Sequence, residues 1–401
     1  MKSDEIYGII FIQEIPKGVK IMNFDKLSKY LDTLADADIK HFTCCVARDH
    51  EIIYTKAVGF NDYAEKVPAD FQAMYLLYSV TKVITCTAAM RLVSEGKLGI
   101  DDPVYKYLPK YKDLSVKTDN GIEPAKTVMT VRHLFGMTSG YGGRVAPELL
   151  AVANRVLEDD PNAGTVKILS EFPSVPLEFE PGSHYLYGMS HDILAAVVEV
   201  AAGKRFGEYL DEIIFRPLGM ADFTFTPDAE RIERLCAMYN YNTKMNVSTP
   251  TECPTSYGYS PAYEAGGAGL YGSALQYLTL ADTLACGGVS KDGYRLLPEK
   301  YVMMMRDNIL EYQALSDFRS SPRKFGYGWG LCGRAHMSPA ISLSATPKGE
   351  FGWDSAAAAH VFMDTDNRLS GFFAMHTMKC SYAYEKIHPK VKDLIYECLG
   401  L

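Results

Sequence analysis

The chain has 401 residues, of which 47% are hydrophobic, so it can form one large or two moderate globular domains with full cores. It carries 41 Lys and Arg residues against 49 Asp and Glu residues, a formal net charge of −8, which argues against nucleic acid as a partner. The nine cysteines form no C-x-x-C pair. They predict reduced thiols in a cytoplasmic protein, and neither a disulfide framework nor a zinc site.

The first predicted element follows an N-terminal extension at residues 1–21. Residues 6–12 are apolar, but acidic residues flank them and no small-residue cleavage site follows, so we do not expect a secretion signal. No stretch of the chain approaches the roughly 20 apolar residues that span a membrane, and no membrane partner is expected. Leucines at positions 27, 31 and 34 follow Phe24 at spacings of three and four, which predicts an amphipathic helix over about residues 23–37.

Strand patterns occur near both ends of the chain, and the region between them is helical and rich in loops. The predicted strands and the closing helix are 41–48 and 51–60, joined by a two-residue turn, then 348–364 and 368–377, joined by the turn "DTDN", and a helix at 389–399. This order predicts an α+β fold: an antiparallel sheet built from both chain ends, flanked by helices, with an inserted helical domain. We assign 22–78 and 302–401 to the sheet domain and 79–301 to the helical domain, with a ligand site at the seam.

A serine and a lysine stand three residues apart where the helical region begins. Ser79 and Lys82 occupy positions i and i+3, so on a helix both side chains project from one face about one turn apart. Lys82 is the one charged residue in residues 76–90, and burial would make its neutral amine available to take the proton of the serine. At the start of a helix, the backbone N–H of Ser79 would also point into the site. The structural alternative is a helix cap and a lysine that reaches the solvent, and the S-x-x-K pattern alone does not exclude it.

Seven sequence blocks in order give this pair its context. They include "LLYSVTK", "AAMRLVSEGKLGIDDP", "TVRHLFGMTSGYGG", "FEPGSHYLYGMSHDILAAVVE", "EAGGAGLYGS", "FGYGWGL" and "FGWDSAAAAHVFMD". Over about residues 40 to 380 the chain resembles the serine β-lactamase and penicillin-recognising fold, in particular its class C β-lactamase-like esterase branch. The resemblance implies a β-lactamase/transpeptidase-like fold and an acyl-enzyme mechanism in which Ser79 is the nucleophile and Lys82 assists it.

The resemblance also implies a catalytic tyrosine. In this family a tyrosine follows a Pro-Gly turn and lies beside the serine and the lysine. The matching residue is Tyr187 in "PGSHYLYGMS", with Tyr185 as the rival assignment. Beside a lysine ammonium a phenolate is favoured, so Tyr187 is expected to act as base toward Ser79 or as acid toward the leaving group. The family often has an asparagine two residues further on, where this chain has Met189.

The third element of the family differs in this chain. It is usually Lys/His-Thr/Ser-Gly, or Trp-Gly-Gly in the esterase branch, whereas this chain has Trp353, Asp354 and Ser355. By this alignment the backbone N–H of Ala356 is the second oxyanion donor, beside that of Ser79. The cation that would meet a substrate carboxylate is absent from this motif, and Asp354 would repel one. We therefore expect neutral esters to be better substrates than penicillins.

Several other sequence patterns have simpler structural explanations. "GMSHD" nearly matches the G-x-S-x-G elbow around Ser190, but its last position is aspartate and no strand precedes it. His184 and His191 are expected to be rim or core residues, and no histidine pair has the spacing of a metal site, so no metal and no cofactor is predicted. Aromatic residues in the loops that line the family's cleft are expected to form an acyl pocket or to pack in the core: Tyr141, Tyr257, Tyr259, Tyr263, Tyr327 and Trp329.

The sequence therefore predicts a serine hydrolase that acts on a small ester or amide. The substrate-binding candidates are Trp353, Asp354, Ser355, Met189, Tyr141 and Tyr327. The alternatives within the enzyme class are a D-alanyl-D-alanine carboxypeptidase, a weak β-lactamase and an acyltransferase. Outside that class, the departures at 189 and 353–355 are compatible with a catalytically inactive binding protein on the same fold. The sequence does not define an oligomeric state.

Overall fold

A computed structural model describes residues 23–401, so the predicted extension at residues 1–21 and its apolar stretch lie outside the described residues. The strands are β1 (His41–Arg48), β2 (Glu51–Gly59), β3 (Met74–Leu76), β4 (Ser115–Thr118), β5 (Gly121–Pro124), β6 (Met238–Asn242), β7 (Val247–Thr251), β8 (Tyr271–Ser273), β9 (Tyr327–Trp329), β10 (Arg334–His336), β11 (Phe351–Asp354), β12 (His360–Asp364), β13 (Leu369–Ala374) and β14 (Thr377–Met378).

The α-helices lie mostly between β3 and β9. They are α1 (Asp25–Asp32), α2 (Thr81–Ser94), α3 (Val131–Phe135), α4 (Pro147–Asp159), α5 (Thr165–Leu169), α6 (Ser190–Ala202), α7 (Phe206–Leu210), α8 (Ala229–Glu233), α9 (Ala274–Ala285), α10 (Glu299–Met305), α11 (Tyr312–Phe318), α12 (Pro339–Ser342) and α13 (His388–Leu399). Within residues 23–401, no helix is long and apolar enough to cross a membrane.

The central sheet combines strands from both ends of the chain. Within the described residues its order is β2-β1-β13-β12-β11-β10-β9, and every neighbouring pair is antiparallel. The predicted hairpin turn is present, with Asp49 and His50 both in the left-handed region (φ 51° and 67°) that a two-residue hairpin turn requires. The predicted turn after β12 is also present, because the Asp364 carboxylate accepts the N–H groups of Asp366 and Asn367. The predicted α+β fold is therefore confirmed.

The two faces of the sheet are covered by different parts of the chain. Side chains alternate along each strand, so Phe373 and Cys44 belong to one core cluster and Phe372 and Cys45 to another. The first cluster includes residues of α1 and α13. The second face packs against α9, where the ring of Tyr277 stacks on that of Phe372 with centroids 4.4 Å apart. Helix α9 thus buries one face of the sheet and connects it to the helical region.

One predicted strand is in fact two strands joined by a turn, so the prediction of a continuous strand over 348–364 is wrong. The Ser355 N–H donates to the carbonyl of Ala359 over 2.8 Å, and Ala358 has φ 61°. Four consecutive alanines have little preference for a strand, and this run therefore closes the turn between β11 and β12.

The region at residues 79–301 also contains elements that the sequence did not predict. The hairpins β4–β5 and β6–β7 lie within it, and α9 of the same region packs directly on the sheet. The strands of the large sheet lie at 41–59 and 327–374, inside the two predicted sheet segments. The division into domains at residues 78 and 302 stays a prediction.

The stacked pair at the sheet centre gives a stability prediction. We expect Phe372→Ala to lower the free energy of unfolding by about 3–5 kcal/mol, because a fully buried ring is lost and a cavity remains. Phe325, which is 48% exposed, provides the matched control, and Phe325→Ala should cost less than about 1 kcal/mol. Denaturant unfolding of both variants makes the measurement, and equal losses would contradict the assignment of Phe372 to the core.

Candidate active site

Ser79 lies in a strained turn between β3 and α2. Tyr78 has φ 45°, in the left-handed region that non-glycine residues rarely adopt. Residues Tyr78–Val80 form a 3-10 turn and α2 begins at Thr81, so Ser79 stands just ahead of the α-helix and Lys82 stands in its first turn. Backbone strain of this kind persists only where surrounding contacts enforce it, and it is often found at functional sites.

The ammonium group of Lys82 is buried and is the centre of the candidate site. Lys82 is only 4% exposed. Its neighbours on α2 are apolar or carry hydroxyl groups, so the lysine is the one charged side chain in this part of the helix. Its Nζ donates to Ser79 Oγ over 3.2 Å and to the carbonyl of Gly267 over 2.5 Å. Nζ also lies 4.7 Å from the ring centroid of Tyr187. The structure therefore brings together the serine, lysine and tyrosine that the sequence singled out.

A buried carboxyl group lies next to this lysine, at a position that the sequence alone does not single out. Asp192 is 6% exposed, and its Oδ1 accepts a hydrogen bond from the hydroxyl of Tyr263 over 3.1 Å. Burial raises the pKa of Asp192, and the positive charge of Lys82 opposes that effect. The only sequence signal was its position five residues after Tyr187, inside the rejected "GMSHD" motif.

The "EAGGAG" loop fits closely between α2 and α6. A Cβ on Gly267 would overlap the carboxylate of Asp192 and lie 3.6 Å from Lys82 Nζ, and a Cβ on Gly266 would overlap α6. The carbonyl of Gly266 accepts a hydrogen bond from the Thr85 hydroxyl over 2.6 Å. Glycine is therefore required at 266 and 267 so that the loop backbone can reach the lysine.

Tyr187 connects the lysine to the edge of the sheet. Its side chain is 38% exposed, and its hydroxyl accepts a hydrogen bond from the indole N–H of Trp353 over 2.9 Å. Tyr185, the rival assignment, is partly buried against the rings of Phe318 and Trp329, and its buried hydroxyl has no hydrogen-bond partner within residues 23–401. The geometry therefore favours Tyr187 as the tyrosine that acts beside Lys82.

Asp354 follows Trp353 on β11 and makes a separate set of contacts. Asp354 Oδ1 lies 2.6 Å from His360 Nδ1 and 3.3 Å from His388 Nδ1, and Oδ2 lies 3.5 Å from the Arg334 guanidinium. Although burial alone would raise the pKa of Asp354, these neighbours hold that pKa well below its usual range. The charge of Asp354 is therefore already compensated within the protein.

The turn after β11 leaves one backbone donor available. Ser355 N–H donates to the carbonyl of Ala359, and Ala357 N–H donates to Ser355 Oγ over 3.3 Å. The N–H of Ala356 has no acceptor among residues 23–401, and this residue is exposed. The hydroxyl of Tyr384 donates to the carbonyls of Ser355 and Ala356 and so fixes this turn. The arrangement is compatible with the predicted oxyanion role of Ala356.

The remaining candidates lie in different surroundings. Tyr141 and Met189 are 1% exposed and belong to the main core, and Tyr327 packs against the ring of His336. Their substrate-binding roles stay predictions, and so does that of Ser355. Ser190, the serine of the "GMSHD" motif, is fully buried, and its hydroxyl forms a hydrogen bond of 2.8 Å with the Ser139 hydroxyl.

The two histidines of this region have structural contacts. His191 is buried, and its Nε2 lies 3.1 Å from the carbonyl of Phe135. His184 is half-exposed and pairs with Asp317. These positions agree with the rim and core roles expected from the sequence.

Two groups of potential metal donors occur within the described residues. They are His50, Asp282 and Cys286, and the cluster of Asp354, His360 and His388. In each group a histidine already contacts the carboxylate, at 2.8 Å and 2.6 Å respectively, and the second carboxylate also faces Arg334. We assign neither group to a metal ion.

The fold and the serine–lysine–tyrosine arrangement define a class of serine hydrolases. The sequence model of the beta-lactamase family matches residues 28–386. The chain therefore belongs to the beta-lactamase family and is a serine hydrolase of that family.

Individual relatives agree with this assignment. The chain is 29% identical to Esterase EstB of Burkholderia gladioli over an alignment of 351 residues. This alignment covers 83% of this chain and 84% of the esterase. Its fold is similar to that of EstCE1, described as a hydrolase with promiscuous acyltransferase activity, with a TM-score of 0.76 at 23% identity over 93% of this chain and 98% of that one. It is also similar to a penicillin-binding protein homologue from Caulobacter crescentus, with a TM-score of 0.74 at 17% identity over 94% and 97% of the two chains.

The glycine loop gives a prediction about the site. We expect Gly267→Ala to slow labelling of the protein by a fluorophosphonate about tenfold or more, because the new methyl group displaces the carbonyl that holds Lys82. Gly143→Ala is the matched control, since a Cβ there meets no atom within 4 Å. Labelling rates and thermal midpoints are measured for both variants. Unchanged labelling in a folded Gly267→Ala protein would show that this carbonyl does not position the lysine.

Proposed function

We propose that this serine hydrolase is a carboxylesterase-like enzyme that acts through an acyl-enzyme on a small ester or amide. The observation that carries the proposal is the contact of the buried Lys82 ammonium with Ser79 Oγ and with the ring face of Tyr187. The 29% identity to an esterase over most of the chain supports ester hydrolysis as the activity to test first.

The proposed reaction has two halves. In the first, Lys82 as the neutral amine or Tyr187 as the phenolate takes the proton of Ser79, the serine oxygen forms a bond to the substrate carbonyl carbon, and the carbonyl oxygen becomes an oxyanion. The N–H groups of Ser79 and Ala356 stabilise that oxyanion. The bond to the leaving group then breaks, and the proton taken from the serine is given to the departing oxygen or nitrogen.

The second half reverses these steps with water as the nucleophile. Lys82 or Tyr187 takes a proton from the water, the hydroxide oxygen bonds to the acyl carbon, and Ser79 leaves with its proton restored. An alcohol or amine in place of water would give acyl transfer instead. Product analysis in the presence of added alcohol separates hydrolysis from acyl transfer, and D-alanyl-D-alanine peptides and penicillins test the two other enzyme alternatives.

We also propose a cytoplasmic location. All nine cysteines are free, and Cys44 and Cys45 are adjacent and buried on opposite faces of the sheet. Nine free thiols are typical of a reducing compartment. Fractionation of cells that produce the native protein tests this location.

The nucleophile gives the first functional prediction. A fluorophosphonate should add one mass increment to the peptide that contains Ser79, and Ser79→Ala should abolish the adduct, because the hydroxyl that forms the bond is gone. Ser190→Ala is the matched control, since that serine is fully buried, and it should still be labelled. Intact mass and peptide mapping make the measurement. An adduct on Ser190, or a complete failure to label, would contradict the proposal, and the latter would favour an inactive binding protein.

The second functional prediction concerns which residue, Lys82 or Tyr187, transfers the proton. Arginine keeps a positive charge but does not release a proton at neutral pH, so Lys82→Arg should lose acylation roughly a hundredfold or more if Lys82 is the base. If Lys82 instead stabilises a phenolate, Lys82→Arg should retain much of the rate and Tyr187→Phe should cause the large loss. Acylation rates are measured together with thermal midpoints. Rates near that of the wild type in both variants would refute the scheme.

A further inference from the structure

Asp192 is a buried carboxyl group beside the candidate catalytic residues, and no step of the proposed reaction uses it. It stands in the first turn of α6 and is 6% exposed. Its Oδ1 accepts a hydrogen bond from the Tyr263 hydroxyl over 3.1 Å, and the backbone N–H of Gly267 also favours its charged form. Both partners are donors, as an ionised carboxyl group requires, because it can only accept hydrogen bonds.

Gly267 lies between this carboxyl group and the ammonium of Lys82. Its carbonyl accepts the hydrogen bond from Lys82 Nζ over 2.5 Å. A Cβ on Gly267 would lie 2.2 Å from Asp192 Oδ2 and 3.6 Å from Lys82 Nζ. The two atoms are therefore less than about 6 Å apart, within the distance at which opposite charges stabilise one another. The carboxyl group and the lysine interact across a single residue of the loop.

Other ionisable groups near Lys82 are neutral. Cys86, His191 and Asp192 are buried groups whose pKa the charge of Lys82 affects. Burial raises the pKa of the Cys86 thiol, and burial together with the lysine charge lowers the pKa of His191 to about 3, so both are neutral at neutral pH. Asp192 is therefore the one of these three groups that can carry a negative charge beside the lysine.

The carboxyl group faces charged and titratable groups from three parts of the chain. They are Lys82 on α2, Arg144 between α3 and α4, and Tyr259, Tyr263 and Gly267 in the segment that forms the glycine loop. Burial raises the pKa of Asp192, and the two cations, the Tyr263 hydroxyl and the Gly267 N–H oppose that rise. Tyr263 is 2% exposed and belongs to the main core, so its phenol is held toward the carboxyl group. Two positive charges and two hydrogen-bond donors thus favour the carboxylate over the neutral acid.

We propose that Asp192 is a positioning residue of the reaction: as a carboxylate it stabilises the Lys82 ammonium, and Tyr263 holds the carboxylate in place. The inference rests on the proposed acyl-enzyme mechanism. It gives a reason for a carboxyl group at a buried position, since a buried ammonium without a counter-charge is costly. Because Asp192 acts through Lys82, it is distinct from the groups that would contact the substrate.

The role is the same for either acceptor of the serine proton. If the neutral amine of Lys82 takes the proton of Ser79, the carboxylate stabilises the ammonium as it forms. If the phenolate of Tyr187 takes that proton, the carboxylate keeps Lys82 protonated beside the phenolate. Asp192 itself neither gains nor loses a proton in either case. In both cases its negative charge raises the pKa of the group that must be deprotonated before acylation.

The pH dependence of fluorophosphonate labelling tests the inference. The rate constant for labelling of Ser79 is measured between about pH 5 and about pH 10 in the wild type, Asp192→Asn and Asp192→Ser. Both variants remove the charge, and Asp192→Ser provides the measurement if Asp192→Asn does not fold. Asp282→Asn is the matched control, because Asp282 is a carboxyl group that is 7% exposed and contacts His50 outside the site.

We expect the acid limb of the profile to move to lower pH by about one unit or more in both Asp192 variants, because the group that must lose its proton no longer lies beside a negative charge. The plateau rate should fall about threefold or more, since a base of lower pKa takes the serine proton less readily. Asp282→Asn should keep the wild-type limb and a rate within about twofold. A lower plateau with an unmoved limb would assign Asp192 a purely structural role and overturn the proposal. A limb that moves to higher pH, or complete loss of labelling in folded variants, would also overturn it.

A double-mutant cycle that needs no activity separates this inference from the proposed function. Thermal midpoints are measured at neutral pH for Lys82→Met, Asp192→Asn and the double variant. Asp192→Asn should lower the midpoint of the wild type but leave that of Lys82→Met unchanged or raise it, because a carboxylate without its counter-charge is costly to bury. The two shifts should differ by about 2 °C or more, and shifts that simply add would overturn the interaction. Absence of label on wild-type Ser79 would overturn the proposed function and with it the catalytic role, whereas the cycle would still decide the interaction.

Discussion

The hydrogen bond from the buried Lys82 ammonium to the carbonyl of Gly267 is the interaction on which the site depends. A charged group in an apolar interior is costly unless it is paired and hydrogen-bonded. The protein supplies a carbonyl oxygen at 2.5 Å, a serine hydroxyl at 3.2 Å and the face of a tyrosine ring. The carboxyl group of Asp192 also lies nearby. Residues of α2, α6 and the glycine loop thus surround this one group.

The same constraint explains why the loop contains two glycines. A side chain at either position would overlap α6 or the carboxylate of Asp192, and the loop backbone would then be held away from α2. Gly266 and Gly267 therefore matter because they have no side chain. Their effect reaches Ser79 only through the lysine, and so they are positioning residues, distinct from the groups that would contact substrate.

The sequence predicted well what depends on local pattern. The strand-like runs of β1 and β13, the spacing of leucines in α1 and the i, i+3 relation of Ser79 and Lys82 are all visible within a few residues. The turn between β11 and β12 was missed because its alanines lie between two true strands. The resemblance to a family was needed to select Tyr187 from 27 tyrosines, since no local feature distinguishes it.

The sequence alone does not show contacts between segments that are distant along the chain. Lys82 and Gly267 are 185 residues apart, and Tyr187 and Trp353 are 166 residues apart. Asp192 is the aspartate at the last position of the rejected "GMSHD" motif, and its own importance follows from burial beside a lysine on another helix.

The surroundings of Trp353 account for a neutral residue at this position, because Trp353 lines a cavity together with Arg323, Lys324, Arg334 and Lys392. Trp353 gives the hydroxyl of Tyr187 a hydrogen-bond donor, and an indole N–H can donate without adding charge. A lysine or histidinium at this position would add a like charge beside these four cations, of which only two meet carboxylates within residues 23–401. The next residue, Asp354, compensates part of that excess through Arg334. Trp353 and Asp354 thus serve two neighbouring groups of charges, and their residue types follow from the balance between them.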